Sequence, residues 1–166
     1  FLAHTDPPLE DFIELYNQGH RYVDLAGWEL SRTDGDSLVD RHKITSGETL
    51  SPLSYRVLTT NKSILKSHYP QAVDNAMFDA TLPPMPDDEG SVVIEDARGN
   101  MIDSVAYNDG MHAYLLRDTE GVSLERISSS APSTDVANWR SANESVGFAT
   151  PGFLNSNFRQ PYDEAL

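Results

Sequence analysis

Apolar residues in this chain occur in short runs that polar turn residues separate, which is the pattern expected of β-strands. Residues 11–17 combine β-forming side chains with a clear stop at their end. Ile13 and Leu15 would share one face of this strand, and the other face would carry Phe12, Glu14 and Tyr16. The segment therefore predicts a strand that is covered on at least one face.

Two more short strands are predicted in residues 22–30, on either side of Gly27, which can take backbone angles closed to other residues. Four side chains of this stretch are predicted to enter the core: Val23, Leu25, Trp28 and Leu30. Residues 71–90 are less regular, and their proline-rich part predicts an extended, stiff segment.

One helix is predicted in the chain. Residues 55–60 read as a strand, after which Asn61 has the side chain of a helix N-cap. The helix would cover residues 62–69 and end at Pro70, because proline cannot continue it.

The clearest hairpin joins residues 91–95 to residues 101–107, with residues 96–100 as its turn. Residues 121–127 alternate and are predicted to form the last strand. Beyond them the chain is rich in serine, asparagine, proline and glycine, and Trp139 is predicted to be an isolated apolar anchor.

Many short strands at roughly ten-residue spacing, with one brief helix, indicate an all-β sandwich or barrel. The length of 166 residues suits one domain, and its 39% hydrophobic residues suffice for a core. We place the domain at residues 1–156 and interpret residues 157–166 as a tail or the start of a linker.

Charge and cysteine content narrow the function classes. The net charge of −14 repels phosphate backbones, which argues against nucleic-acid binding. No run approaches the roughly 20 apolar residues that cross a bilayer, so we expect no membrane insertion in this segment. The lack of cysteine excludes disulfides, thiolate metal sites and a cysteine nucleophile. Because the chain begins with Phe1, we interpret it as a processed or excised piece of a longer protein.

Seven segments form an ordered set along the chain: residues 11–17, 23–28, 55–59, 90–107, 121–127, 138–142 and 149–152, with Asn155 and Ser156 after the last. Together they resemble the lamin tail domain family. No single segment is specific, but the ordered set is, and it covers residues 10–156. The resemblance is closest to bacterial members, especially surface and exported proteins of Bacteroidetes-like organisms.

This resemblance implies an immunoglobulin-like β-sandwich of two antiparallel sheets, and a role in interaction or architecture rather than catalysis. In bacterial members the stretch with Thr-Pro-Gly and Asn-Ser closes the domain, as residues 150–156 would here. Glu125 and Arg126 alternate faces, so one of them points inward or to a sheet edge. An inward arginine needs a carboxylate partner, for which Glu14 and Asp103 are the candidates.

Metal binding has weak support in this sequence. The acidic loop from residue 34 fails as an EF-hand, since Val39 and Thr45 stand where glycine and the bidentate glutamate belong. Asp87, Asp88 and Glu89 could bind Ca²⁺ weakly, although a solvated turn before the hairpin is the simpler interpretation. The same two interpretations apply to a second cluster, Asp6, Glu10 and Asp11. The histidines are too far apart in sequence to form a recognisable zinc motif: His4, His20, His42, His68 and His112.

Catalytic motifs are missing from the sequence. It contains no G-x-S-x-G nucleophile elbow, no Walker pattern and no G-x-G-x-x-G. A pair of catalytic carboxylates stays open among the 26 acidic residues, but no sequence feature singles one out. The tyrosines could stack on sugars, although β-strands enrich tyrosine for packing alone.

We therefore predict a non-catalytic interaction or architectural module of a larger exported or cell-surface protein, with a protein partner or neighbouring modules of the same chain. The first alternative is a calcium-assisted carbohydrate-binding or adhesion module. The second alternative is a hydrolase that has no recognisable motif.

Overall fold

A computed structural model describes residues 2–3, 10–45, 47–116 and 119–159, the first pair by backbone alone. The fold is almost entirely β-structure. Its strands are β1 Leu2–Ala3, β2 Phe12–Tyr16, β3 Val23–Asp24, β4 Glu29–Asp34, β5 Ser37–Lys43, β6 Thr49–Leu50, β7 Tyr55–Thr59, β8 Met77–Asp79, β9 Glu89–Glu95, β10 Met101–Asn108, β11 Leu124–Arg126 and β12 Trp139–Ser141. The helix α1 is Lys62–His68, and single 3₁₀ turns occur at Asp74–Ala76, Asp109–Met111, Val136–Asn138 and Glu144–Val146.

Two main sheets form the predicted immunoglobulin-like sandwich. One has the strand order β12-β11-β1-β2-β7-β8, the other has the order β10-β9-β4-β5, and β3 pairs with β6 in a small third sheet. We call the face that each main sheet turns toward the other its inner face, and the opposite one its outer face. The inner faces share one core, which includes Ile13, Leu58, Leu124 and Trp139 from the first sheet and Leu30, Val92, Ile94 and Val105 from the second.

The outer face of the six-stranded sheet is also covered. Phe12 and Val57 pack there against Leu65 and Tyr69 of α1 and its C-cap, and against Ala149. The helix lies where it was predicted, and the side chain of Asn61 accepts hydrogen bonds from the backbone at its first turn. Burying Leu65 and Tyr69 explains why so short a helix is stable, since seven residues are marginal alone.

The predicted turns have the expected geometry. Gly27 has φ +77° between β3 and β4, in the left-handed region that a side chain disfavours. The β9–β10 hairpin closes at Asp96, whose carboxylate accepts the backbone N–H groups of Arg98 and Asn100 and the side-chain amide of Asn100. These three bonds, the side-chain bond foremost, lower the pKa of Asp96. Of the predicted core residues, Leu25 and Leu30 are buried, and Val23 and Trp28 are partly buried.

Several details differ from the sequence-based prediction. β11 is not the last strand, because β12 follows it with Trp139 at its start. β5 was not predicted, because most of its residues are polar and they show no clear alternation with apolar ones. It lies at an exposed edge of the four-stranded sheet. β8 was hidden in the irregular stretch before β9, and it pairs with β7 in parallel rather than antiparallel orientation. Within the described residues, no helix is long and apolar enough to cross a membrane.

Candidate functional site

A cavity of about 320 Å³ opens at the end of the sandwich beside the small β3–β6 sheet. That volume is within the range of small-ligand pockets. Its apolar wall combines residues of both main sheets with the small one: Leu15, Val23, Trp28, Leu50, Ile94 and Trp139. Its polar wall contains Glu14, Asp103, Arg126, Asn155 and two tyrosines, Tyr16 and Tyr55. We call this space the end cavity.

Arg126 crosses the sandwich to reach the opposite sheet. Its Nη1 lies 3.0 Å from Oδ2 of Asp103, and its Nη2 donates to the carbonyl oxygen of Ala131. Ser133 donates its hydroxyl to the other oxygen of Asp103. The prediction of a carboxylate partner is confirmed for Asp103, whereas the other candidate, Glu14, is on the outer face.

Glu125 points to the outer face and is fully buried there. Its carboxylate accepts the hydroxyls of Thr150 and Ser156, each at 2.7 Å. It also accepts the backbone N–H and the side-chain amide of Asn157, each at 3.1 Å. Four donors satisfy this anion, so its burial is compensated.

Glu14, also buried on the outer face, accepts a 2.6 Å hydrogen bond from the backbone N–H of Gly152. Burial raises the pKa of Glu14 from its ordinary 4.5 to about 8, and the bond from Gly152 only partly offsets this effect. Together Glu14 and Glu125 hold residues 149–157, which we call the closing segment, against the six-stranded sheet.

The aromatic residues divide between core and rim. Tyr69 and Tyr107 are buried, and their hydroxyls donate to backbone carbonyls. Tyr16 and Tyr55 pack against each other at the end cavity, with ring centroids 4.7 Å apart. Burial raises the pKa of Tyr55 above its ordinary value. Tyr114 is almost entirely exposed, at the turn after the 3₁₀ turn Asp109–Met111.

The calcium candidates Asp87, Asp88 and Glu89 are exposed at the start of β9. Asp88 uses one carboxylate oxygen to accept the backbone N–H of Glu89. Among the residues that the structure describes, no group of three or more His, Asp or Glu is placed to hold a metal ion. Of the second acidic cluster, Asp6 lies outside the described residues, and Glu10 accepts the hydroxyl of Thr60. Calcium binding therefore stays a prediction.

The fold brings His112 and Ser141 into contact. Nδ1 of His112 lies 3.0 Å from Oγ of Ser141, and burial lowers the pKa of His112. The same hydroxyl accepts the backbone N–H of Ala113 at 2.9 Å, so it anchors the turn that follows β10. His20 and His68 are exposed, His42 is half-buried, and His4 lies outside the described residues.

Sequence reasoning missed the pair of buried glutamates. The available signal was a carboxylate next to apolar residues inside a strand: Glu14 lies between Ile13 and Leu15 in β2, and Glu125 follows Leu124 in β11. The donors that satisfy them come from the distant closing segment, and one sequence without a structure does not reveal that contact.

Comparison with known families gives one match. The model of the family described as Lamin Tail Domain matches residues 3–109, from β1 through β10. No curated protein matches the chain. The last two strands and the closing segment lie beyond the matched residues, although they complete the six-stranded sheet and its cover.

Proposed function

The chain belongs to the lamin tail domain family, and on that premise we propose that it is a non-catalytic interaction and architectural module of a larger exported or cell-surface protein. Its partner would be a neighbouring module of the same polypeptide or another protein. The observation that carries this proposal is the use of the buried carboxylates. Glu14 and Glu125 bind the closing segment, so their hydrogen bonds serve the fold rather than a substrate.

The surface charge fits a module that does not bind nucleic acid. A net charge of −14 keeps the module soluble and repels nucleic acid. The bacterial, exported setting rests on the resemblance of the segments described above. It is tested by locating the parent protein in fractionated cells, where recovery in the cytosol would contradict it.

Lysine cross-linking tests the interaction role. The chain has three lysines, Lys43 on β5 and both Lys62 and Lys66 on α1. A cross-link from Lys43 would place a partner near the four-stranded sheet, and one from α1 would place it near the outer face of the six-stranded sheet. We expect that, on intact cells that carry the parent protein, at least one of these lysines forms a cross-link to another module or to another protein. Lys43→Arg removes one reporter and serves as the matched control. Cross-links confined to this module would contradict the proposal.

The calcium-assisted carbohydrate alternative is tested by melting the protein with and without millimolar Ca²⁺. A ligand of the folded state must raise the midpoint. Under our proposal Ca²⁺ does not change the melting midpoint of the protein. It should also not change the midpoint of the triple variant Asp87→Asn, Asp88→Asn, Glu89→Gln. A calcium-dependent rise that this variant abolishes, or a positive glycan array, would favour the alternative.

The hydrolase alternative is favoured by one observation, the contact between His112 and Ser141 beside a second cavity of about 420 Å³. A nucleophilic serine needs a base that is itself oriented by a third group. No described hydrogen bond reaches Nε2 of His112, and Ser141 is already an acceptor for Ala113. We expect no turnover of ester, peptide or glycoside substrates. Turnover that Ser141→Ala abolishes in a folded protein would replace our proposal.

A further inference from the structure

β12 is an edge strand of the six-stranded sheet, with β11 as its neighbour on one side. Asn138 and Ala142, which flank β12, turn their backbone toward β11 and form hydrogen bonds with the residues that flank that strand. Successive residues of a strand direct their backbone groups to opposite sides. Trp139 and Ser141 therefore turn theirs toward the free edge of the sheet.

Two of these four edge groups already have partners. The N–H of Trp139 donates to the carbonyl of Val136, and the carbonyl of Ser141 accepts the side-chain amide of Asn157 at 2.8 Å. The carbonyl of Trp139 and the N–H of Ser141 form no hydrogen bond with a described residue. The edge thus keeps one acceptor and one donor, on either side of Arg140.

This pair of groups matches a parallel strand and not an antiparallel one. An added antiparallel strand exchanges both hydrogen bonds with a single residue of the edge. Trp139 and Ser141 each have one of their two groups occupied, so neither can make that exchange. In parallel pairing, one added residue donates to the residue before its register partner and accepts from the residue after it. The free groups fit that pattern, with Arg140 as the register partner.

The cavity of about 420 Å³ lies beside this edge, and we call it the edge cavity. Residues of β12 line it together with the exposed apolar side chains of Tyr114 and Val136. No carboxylate is among its described lining residues, although the net charge of the chain is −14. Arg140 is exposed and forms no ion pair with a described residue. The edge cavity therefore combines an unpaired cation with exposed apolar side chains.

We propose that the edge cavity receives an extended segment of a partner protein, which adds to β12 as a parallel strand. One residue of that segment lies opposite Arg140 and forms both backbone hydrogen bonds with the edge. A second copy of this chain is disfavoured as the occupant, because two copies with a net charge of −14 repel each other. The inference rests on the proposed function, since it specifies the partner of an interaction module.

The register specifies which side chains the segment carries. The residue opposite Arg140 shares its face of the sheet, so an acidic side chain there forms a cross-strand ion pair. Its two neighbours point to the other face, and apolar side chains suit them because Tyr114 and Val136 line the same cavity. The preferred segment therefore has one acidic residue between two apolar ones.

A blocked peptide of threonine, valine, glutamate, valine and threonine tests the proposal in NMR titrations of the isotope-labelled chain. We expect saturable shifts of the amide signals of Arg140, Ser141 and Ala142 at millimolar peptide. Arg140→Glu should weaken binding by about fivefold or more, because it reverses one charge of a cross-strand pair. A peptide with lysine in place of glutamate should prefer the Arg140→Glu chain. No saturable shifts, or equal affinities of both chains for both peptides, would overturn the proposal.

N-methylated peptides test the backbone hydrogen bonds. A methyl group on the glutamate nitrogen removes the donor for the carbonyl of Trp139 and should abolish binding. The matched control has the methyl group on the following valine, whose N–H points away from β12. It should bind about as well as the unmodified peptide. Equal losses for the two methylated peptides would show that no strand is added at this edge.

A nitroxide label on the peptide measures its direction. In the parallel orientation, a label at the N-terminal end broadens the amide signal of Asn138 most, and one at the C-terminal end broadens that of Asn143 most. The reverse assignment would refute parallel addition. Shifts of the same signals when the chain alone is concentrated would make a second copy the occupant and refute our choice.

The peptide titrations and the lysine cross-linking can fail separately. Cross-links to another protein together with no peptide binding would refute this inference and leave the interaction role standing. Peptide binding together with cross-links confined to the module would support the edge cavity as a binding site and contradict the role proposed for the module in its parent protein.

Discussion

Arg126 on β11 and Asp103 on β10 join the two sheets of the sandwich, with Nη1 and Oδ2 3.0 Å apart. Both side chains are partly exposed, so solvent weakens the ion pair itself. The arginine also binds the carbonyl of Ala131 and is packed beside Trp139.

Replacing Arg126 should therefore cost more than replacing Asp103. We expect Arg126→Ala to lower the free energy of unfolding by about 2 kcal/mol through lost packing and hydrogen bonds. Asp103→Asn should lower it by less than about 1 kcal/mol, since the ion pair is the smaller contribution. Urea unfolding of both variants measures the two values. Equal losses would show that the ion pair dominates.

Removing Glu125 should loosen the closing segment. Glu125→Ala leaves the donors of Thr150, Ser156 and Asn157 without their acceptor, and we expect a loss of about 3 kcal/mol. Glu144→Ala changes an exposed glutamate and should cost under about 0.5 kcal/mol. Chemical unfolding gives the difference. Limited proteolysis within the closing segment should accelerate only in the first variant.

Stability should fall as the pH rises from about 5 to 8 because of Glu14. The folded protein keeps the proton on Glu14 up to a pKa of about 8, whereas the unfolded chain releases it near the ordinary 4.5. The unfolded state therefore binds fewer protons in this window, and each pH unit destabilises the fold by up to about 1.4 kcal/mol. Glu14→Gln should flatten this dependence, and Glu144→Gln should not. Parallel slopes for wild type and Glu14→Gln would contradict the prediction.

Gly152 cannot accept a side chain. Its φ is +88°, and an added Cβ would lie 2.8 Å from Cβ of Val73 and 2.9 Å from Cβ of Ala76. Cβ atoms are attached directly to the backbone and cannot rotate away. We therefore expect Gly152→Ala to lower the free energy of unfolding by about 3 kcal/mol. Gly35→Ala meets no atom within 4 Å at φ +57° and should cost only the conformational part, about 1 kcal/mol. Thermal melting of the two variants measures the difference. A similar loss of stability in both would show that contacts with Val73 and Ala76 do not exclude a side chain at position 152.

Arg41 should stabilise the four-stranded sheet, because it forms ion pairs with two glutamates that lie directly opposite each other. Glu29 and Glu95 are register partners on β4 and β9, both nearly buried, and Arg41 of β5 binds both carboxylates. Like charges directly opposite destabilise a sheet, so Arg41→Met should cost about 2 kcal/mol. Adding Glu29→Gln to Arg41→Met should recover part of that loss. Arg140→Met, at an exposed position of β12, is the control, and no recovery would contradict the argument.

The sequence predicted what local patterns determine. The α1 boundaries followed from Asn61 and Pro70, and the β9–β10 hairpin followed from its turn residues. What could not be predicted depends on distant contacts. β12 forms by pairing with β11, and β8 forms by pairing in parallel with β7. The end cavity likewise arises where β2 and β11 flank β1, and no local pattern encodes that arrangement.

The central position of β1 also constrains when the module can fold. Leu2 pairs with Leu124, yet nine other strands, β2 to β10, separate the two residues along the chain. Pairing of residues so distant in sequence slows folding, because a long loop must close first. During synthesis or export from the N-terminal end, β1 must therefore wait until Leu124 has emerged before it can pair with β11. We infer that the six-stranded sheet is completed late, when β11 joins β1, and that Phe12 lacks the cover of Ala149 until then.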